Sequence, residues 1–218
     1  MTWDEMVPLL RQGTLETLQM TVWSTLFTAL GGTLLGVLLV LTERGGLLPV
    51  PAVNKVLGAI VNVGRSLPFV ILMMAIIPFT RALVGTSIGT QAAIVPLTLS
   101  AIPFYARLVE TALREVDPGV VAAAQAMGAS RGQIVWKVLL REARPGLAAG
   151  LTVTVIALIG YSAMAGAIGG GGLGDLAIRY GYQRFETGMM MAILVLLIAL
   201  VQAVQSLGDL AVRRLTHR

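Results

Sequence analysis

The chain has 218 residues, of which 56% are hydrophobic and 12% are charged, and its net charge is +5. The charged fraction is about half that of an ordinary soluble domain, which excludes a water-soluble globular protein. The basic residues lie between apolar segments instead of forming one patch, which argues against a nucleic-acid-binding function. The absence of cysteine excludes disulfides and thiolate chemistry.

Apolar segments long enough to cross a bilayer determine the expected fold, because a spanning helix needs about 20 residues. Four uncharged segments reach that length, and a fifth, between Lys55 and Arg81, contains Arg65 as its single charge. The sequence therefore predicts an all-α membrane protein with one transmembrane domain over residues 1–218. The five predicted spans are residues 17–42, 56–80, 82–106, 146–168 and 187–210. Residues 107–145 and 169–186 form the two longer loops.

The orientation follows from the basic residues, which concentrate on the cytoplasmic side of membrane proteins. One set of loops, together with the C-terminal tail, holds eleven Lys and Arg residues, and the other set holds four. This asymmetry predicts an external N-terminus, a cytoplasmic C-terminus and a cytoplasmic 107–145 loop. The N-terminal residues include Asp4 and Glu5 and do not resemble a cleaved signal peptide, so the first span is expected to be retained. Arg65 is expected to face away from lipid.

Glycine and proline positions predict how the spans pack. Gly32 and Gly36 allow a neighbouring helix to approach the first span closely. Prolines remove helix hydrogen bonds that lipid cannot replace, so the kinks that they cause should face protein or a water-filled path. Such prolines interrupt the second and third spans at Pro68, Pro78, Pro96 and Pro103.

A glycine-rich segment, residues 169–174, matches the dinucleotide-binding string G-x-G-x-x-G. That string binds phosphates only where a strand precedes it and a helix follows. Here a membrane span precedes it on the outer side. We therefore interpret the segment as a flexible external turn.

The cytoplasmic loop carries signals for two short helices that meet at Gly128. Asp117 and Pro118 predict the start of a helix over residues 118–127, which Gly128 ends. Ser130 and Gln133 form a capping box that starts the second helix. The first helix is small and partly apolar, so it suits either a groove of a partner protein or its own membrane domain. The sequence alone leaves both alternatives open.

The same loop resembles the EAA loop of binding-protein-dependent ABC importer permeases, which docks on the ATPase subunit. The resemblance rests on residues 123–130, the aliphatic block that follows at 134–140 and the pair Pro145-Gly146. Two positions depart from the family pattern: Ala122 replaces the usual glutamate and Arg141 the usual proline. The resemblance therefore does not imply a salt bridge from position 122 to the ATPase.

Further segments narrow the resemblance to methionine importer permeases. Residues 60–69, 77–81, 85–98 and 160–166 are similar to that group, and the similarity covers nearly the whole chain. The resemblance implies the type I importer permease fold, a homodimeric pore in the inner membrane and two ATPase subunits below it. It also implies an external lipoprotein that delivers L- or D-methionine. ATP and Mg would bind to the ATPase, and this chain would hold no cofactor or metal.

The resemblance also implies two sets of site residues. The ATPase-coupling residues are Val120, Val121, Ala123, Ala124, Gln125, Met127, Gly128, Ala129 and Ser130. The candidates for the substrate path or gate are Arg65, Ser66, Tyr161, Ser162 and Met164, although Met164 also suits ordinary packing. A bulky charged residue at Ala124 or Gly128 is expected to uncouple transport while leaving the permease folded.

Other function classes explain the sequence less well. The chain has no G-x-x-x-x-G-K-[ST] phosphate loop, so it requires a separate ATPase. An intramembrane hydrolase would need a base near Ser162. The single histidine, His217, is expected in the cytoplasmic tail, across the span from Ser162. A secondary transporter would need ionisable residues within its spans, and only Arg65 is available. A permease for another amino acid or small solute remains the alternative within the same class.

Overall fold

The computed structural model describes residues 1–216, and this part of the chain contains helices but no strands. The all-α prediction is confirmed. The helices are α1 (Trp3–Thr42), α2 (Pro51–Ser66), α3 (Phe69–Ala75), α4 (Ile77–Val84), α5 (Thr90–Arg114), α6 (Pro118–Ala126), α7 (Arg131–Gln133), α8 (Leu140–Glu142), α9 (Arg144–Gly166), α10 (Gly172–Leu176) and α11 (Thr187–Thr216). Two π-helical segments, Ile134–Leu139 and Ala177–Tyr182, follow α7 and α10.

Four of these helices, α1, α5, α9 and α11, are long and apolar enough to cross a membrane. The pair α2 and α3 passes the same criterion together, but its two helices meet at 104°. The described residues therefore contain four candidate spans, or five if the bent pair crosses the membrane as one broken span.

Helix α1 begins well before the predicted span. It starts at Trp3 and not near Thr17, because Thr2 and Glu5 form a capping box in which the Thr2 N–H donates to the Glu5 carboxylate at 2.9 Å. Asp4 and Glu5 also favour a helix N-terminus electrostatically. Glu16 limits the uncharged segment at its N-terminal end, but the helix continues through it to Trp3.

The second predicted span, residues 56–80, is not one kinked helix. Helix α2 ends at Ser66, where Leu67 adopts an extended conformation with φ −80° and ψ 125° ahead of Pro68. A second interruption at Ile76 separates α3 from α4, and Pro78 lies in the first turn of α4. The prolines therefore divide this segment into three helices instead of bending one.

Helices α1 and α5 are in close contact at Gly32 and Gly36, as the sequence predicted. A Cβ on Gly32 would lie 2.8 Å from the Tyr105 ring, and one on Gly36 would lie 2.6 Å from Val109, so α1 and α5 pack nearly backbone to backbone. Pro96 and Pro103 are buried within α5. A buried cluster that includes Met20, Phe69, Leu97 and Leu158 joins α1, α3, α5 and α9.

The glycine-rich segment continues into a buried helix, α10, which corrects the interpretation as a flexible turn. Its helix α10 is buried between α1 and α9, and its first N–H groups are held by α1: Gly172 donates to the Glu16 carboxylate at 2.7 Å and Leu173 to the Thr17 hydroxyl at 2.9 Å. A Cβ on Gly174 would collide with the carbonyl oxygen of Ala163. The glycines are needed for this close backbone approach.

Candidate functional site

The loop between α5 and α9 contains the predicted coupling helix, α6. Asp117 caps it by accepting a hydrogen bond from the Gly119 N–H at 2.7 Å, and Pro118 occupies its first turn. Gly128 ends it with a φ of +78°, in the left-handed region that glycine adopts without strain. The observed helix ends at Ala126, one residue before the predicted end at Met127.

The second short helix of the loop begins with the predicted capping box. The Gln133 N–H donates to the Ser130 hydroxyl at 3.3 Å, and the Gln133 side-chain oxygen accepts from the Ser130 N–H at 2.8 Å. The π-helical segment that follows carries Ile134 and Val135 on its buried side. This segment forms the platform on which α6 rests.

One side of α6 packs on the chain's own bundle. Ala124 is 4% exposed and belongs to the buried cluster with Ile134, Val135 and Leu113, while Val121 is half-buried beside it. Ala124 is therefore unavailable to a partner in this conformation. Contrary to the sequence-based expectation, a bulky charge at Ala124 would disturb this packing, because Ala124 is buried in the cluster.

The opposite side of α6 is exposed. Six of the nine predicted coupling residues, on this side of α6 or just beyond its end, are exposed: Val120, Ala123, Gln125, Met127, Gly128 and Ser130. Met127 is 81% exposed, and Ala129 is half-buried. The two alternatives that the sequence left open thus concern different sides of one helix: the Val121–Ala124 side packs internally, and the other side faces outward.

Trp136 is an additional exposed residue that the predicted site did not include. It lies on the π-helical segment and is 75% exposed, although its neighbours Ile134 and Val135 are buried. A large aromatic side chain exposed outside the spans is a common feature of protein interfaces. Its position in a polar loop beside an aliphatic block was the signal available in the sequence.

The path candidates divide into two groups. Arg65 and Ser66 form the last turn of α2, at the break, and both are exposed. Tyr161 on α9 stacks on Phe69, the first residue of α3, with ring centroids 4.9 Å apart and an interplanar angle of 7°. The structure thus connects Tyr161 to the broken span. Met164 is 49% exposed on the same helix.

Ser162 does not line an open path within this chain. It is 1% exposed, and its hydroxyl donates to the carbonyl oxygen of Ile159 on its own helix at 2.7 Å. It is therefore a satisfied buried serine. The hydrolase alternative also loses its nucleophile, and His217 lies outside the described residues.

A polar network that sequence reasoning missed connects three helices near the coupling loop. The buried Glu110 of α5 pairs with Arg107 at 2.6 Å and with Arg114 at 2.7 Å. Arg107 also donates to the Asn62 side chain on α2 at 2.6 Å, and Arg114 pairs with Glu43 at 2.7 Å, just beyond α1. The spacing of the three charged residues on α5, i,i+3 and i,i+4, was the sequence signal.

The architecture can be compared with known families on this basis. The sequence profile of the family described as "Binding-protein-dependent transport system inner membrane component" matches residues 32–217. The chain belongs to this family. It is a transport permease subunit and not an enzyme, and the predicted membership in the importer permeases is confirmed.

Named relatives of this permease are similar over most of their length. The chain is 54% identical to the probable D-methionine transport system permease protein MetI of Vibrio cholerae over 204 residues, which cover 90% of this chain and 91% of the relative. It is 50% identical over 173 residues to the methionine import system permease protein MetP of Bacillus subtilis, with 79% of this chain and 78% of that protein covered.

A solved structure of similar sequence confirms the permease fold. It is described as inward-facing conformations of the MetNI methionine ABC transporter. The permease superimposes on one of its chains with a TM-score of 0.96 at 50% identity, covering 99% of both chains. The bent α2–α3 pair and the loop between α5 and α9 therefore belong to a known importer architecture.

Proposed function

We propose that this permease carries L- or D-methionine across the inner membrane, driven by ATP and Mg bound to a separate ATPase subunit. The single observation that carries the coupling part of the proposal is the exposed side of α6. There Val120 is 41% and Met127 81% exposed, although both are apolar and lie outside the spans. Such side chains are stabilised by burial in a partner's groove.

Methionine as the substrate is supported by the relatives. Both curated relatives described above are named as methionine permeases, and their similarity extends over at least 78% of their length. External binding proteins supply most of the selectivity in such importers, so we propose a methionine-binding lipoprotein as the third component.

A homodimer is supported by the broken span. The α2–α4 segment exposes large apolar side chains, including Leu67, Met74 and Phe79, next to the exposed Arg65. A charge is costly against lipid, whereas a second copy of the chain and an aqueous path between the copies accommodate both types of residue. We propose that Arg65, Ser66, Tyr161 and Met164 border this path, and that each copy binds one ATPase.

Transmission of force from the ATPase depends on how firmly α6 is held. Ala124 and Val121 fix α6 on the platform formed by Ile134 and Val135, which leads directly into α8 and α9. At the other end of the loop, the Glu110 network joins α5 to α2 and to the end of α1. A displacement of α6 would therefore move several spans together, as a two-state transport cycle requires.

The main test is uptake by proteoliposomes that contain this chain, its ATPase and its binding protein. We expect ATP-dependent accumulation of labelled methionine that an excess of other amino acids does not suppress. Accumulation of a different solute would reject methionine but keep the permease. Uptake driven by an ion gradient without the ATPase would reject the coupled mechanism and favour a secondary transporter.

The proposed orientation, with an external N-terminus, has its own test. The chain has no native cysteine, so single cysteines report accessibility without background. Gln183→Cys, in the proposed external loop, should react with an impermeant maleimide in intact cells. Gly132→Cys, in the coupling loop, where no atom lies within 4 Å of an added Cβ, should react only after permeabilisation. The reverse pattern would invert the topology.

A further inference from the structure

A basic pocket lies where α9 begins and α11 ends, and no residue of α6 is among those that line it. It is a cavity of about 860 Å³ whose lining includes four arginines, Arg141, Arg144, Arg213 and Arg214, and one acidic residue, Glu142. The pocket thus brings together arginines from two segments that are about 70 residues apart in sequence.

Within residues 1–216, the four arginines have no protein counter-ion. Among residues 1–216, none of them has a carboxylate within 4.0 Å or a side-chain hydrogen bond, whereas Arg107, Arg114 and Arg179 are all paired. Because Glu142 is the one acidic residue in the lining, the pocket still carries a net positive charge. Guanidinium groups that line one pocket can bind phosphate together, because each contacts phosphate oxygens through charge-assisted hydrogen bonds.

The depth of the pocket matches the headgroup layer of a membrane. Arg144 directly precedes the uncharged segment of α9, which starts at Pro145. Arg213 follows the last residue of the uncharged segment of α11, Gly208, by five positions, which is about 7.5 Å along the helix axis. The headgroup layer on each side of the hydrocarbon is about 5–8 Å thick. The guanidinium groups therefore lie at the depth of lipid phosphates.

A second cavity continues from the pocket along the seam between α9 and α11. Its volume is about 410 Å³, and Arg213 lines both cavities. The seam is narrow because Gly208 packs directly against Thr152, and Ala149, Val153 and Val212 provide apolar lining. The Asp209 carboxylate in this seam accepts a hydrogen bond from Gln205 at 2.9 Å. The groove gives a bound lipid a place for its glycerol backbone and upper acyl chain.

We propose that this pocket binds the phosphate headgroup of an anionic phospholipid, of the phosphatidylglycerol or cardiolipin class, with its acyl chains along the α9–α11 seam. That the lipid belongs to the inner leaflet rests on the orientation proposed above, but the binding itself does not. An acidic segment of the ATPase fits less well, because the pocket lies at headgroup depth and opens onto an apolar seam. The lipid would fasten the end of the coupling loop, at α8 and the start of α9, to α11.

The test compares lipid retention by the intact complex of permease and ATPase. The complex is titrated with phosphatidylglycerol or phosphatidylcholine in detergent, and bound lipid is counted by native mass spectrometry. Each basic residue near an anionic headgroup changes affinity by about fivefold, so Arg213→Gln/Arg214→Gln should weaken phosphatidylglycerol binding by about 25-fold if the effects add. Arg141→Gln/Arg144→Gln provides an independent second variant. All four arginines lie at the surface of the chain, so both variants should fold.

The matched control is Arg44→Gln/Lys55→Gln, which removes two exposed basic residues from the same side of the protein but outside the pocket. We expect it to retain the wild-type preference for phosphatidylglycerol. An equal loss in the control, equal retention of phosphatidylcholine by the wild type, or equally tight binding of inorganic phosphate would overturn the proposal. So would loss of the ATPase from the pocket variants with lipid retention unchanged.

Methionine uptake, measured after the same complexes are reconstituted into proteoliposomes with the binding protein, separates this proposal from the proposed function. A wild-type complex that retains phosphatidylglycerol selectively but transports no methionine contradicts only the substrate assignment. A complex that transports methionine and shows no selective lipid retention contradicts only the lipid site.

Discussion

Replacing Ala124 with glutamate should destabilise the coupling loop, whereas the same replacement at the neighbouring Ala123 should not. The two residues have the same side chain and lie on the same helix. Ala124 is buried among Ile134, Val135 and Leu113, and Ala123 is exposed. The pair therefore separates packing within the chain from contact with the ATPase.

The expected magnitude follows from the burial of Ala124. Additional atoms in a packed core cost about 1–3 kcal/mol, and a buried polar group without a partner costs about 1–3 kcal/mol more. Ala124→Glu should therefore lose about 2–6 kcal/mol, because α6 must leave its platform to solvate the carboxylate. Ala123→Glu should change stability by less than about 0.5 kcal/mol, as for other exposed sites.

Two measurements on the purified permease and its complex distinguish these effects. Thermal unfolding and limited proteolysis of the loop report on packing, and ATP-driven uptake together with ATPase binding reports on coupling. The Ala124→Glu permease should unfold at a lower temperature, with a loop that is cleaved faster, and should also lose ATPase binding and ATP-driven uptake. Ala123→Glu should keep its thermal transition but lose ATPase binding by at least about tenfold, since it places a charge in the apolar docking surface.

The reasoning would be refuted by an Ala124→Glu permease with a wild-type unfolding transition and an intact loop. That result would mean that α6 is not packed on Ile134 and Val135 in the working complex. Normal uptake by the Ala123→Glu complex would instead reject the exposed side of α6 as the docking surface.

Three further predictions concern the bundle. Glu110→Gln removes the shared partner of two arginines and should lower the unfolding free energy by about 1–3 kcal/mol, while Glu115→Gln, exposed one residue beyond α5, should have little effect in the same denaturation assay. Gly36→Ala should lower thermal stability and weaken α1–α5 packing, because the new Cβ would lie 2.6 Å from the Val109 side chain. Its control, Gly58→Ala, has no atom within 4 Å of the new Cβ and should raise the unfolding free energy by about 0.5–1 kcal/mol. Glu16→Ala should increase proteolysis of the glycine-rich segment at residues 169–174, since α10 loses the carboxylate that accepts from its first N–H; unchanged protection would show that the glycine contacts alone hold the segment.

The sequence predicted the features that depend on local composition. Uncharged segments identified α1, α5, α9 and α11 because crossing a bilayer requires long apolar helices whatever their neighbours are. The caps at Asp117 and Ser130 were found for the same reason, since each is a contact between residues within three positions of one another.

The features that sequence reasoning missed depend on distant contacts. Pro68 indicated an interruption, but the 104° angle between α2 and α3 depends on partners such as Tyr161, 92 residues from Phe69. The glycine-rich segment reads as flexible by itself, and only the contacts with Glu16 and Ala163 reveal why glycine is required there. Likewise, the helical pattern of α6 could not show that Ala124 faces inward and Ala123 outward.

The length of α1 has a consequence for the surface of the protein at the N-terminal end of this helix. A straight helix of 40 residues is about 60 Å long, and the hydrocarbon layer accounts for only about 30 Å. The predicted span takes residues 17–42, so the part of α1 that precedes it, residues 3–16, extends about 21 Å beyond that span, braced by α10 and by the start of α11 through Met6, Leu173 and Met189. A protein that binds at this end of α1 contacts a surface that is already folded. Its binding therefore costs little loop conformational entropy.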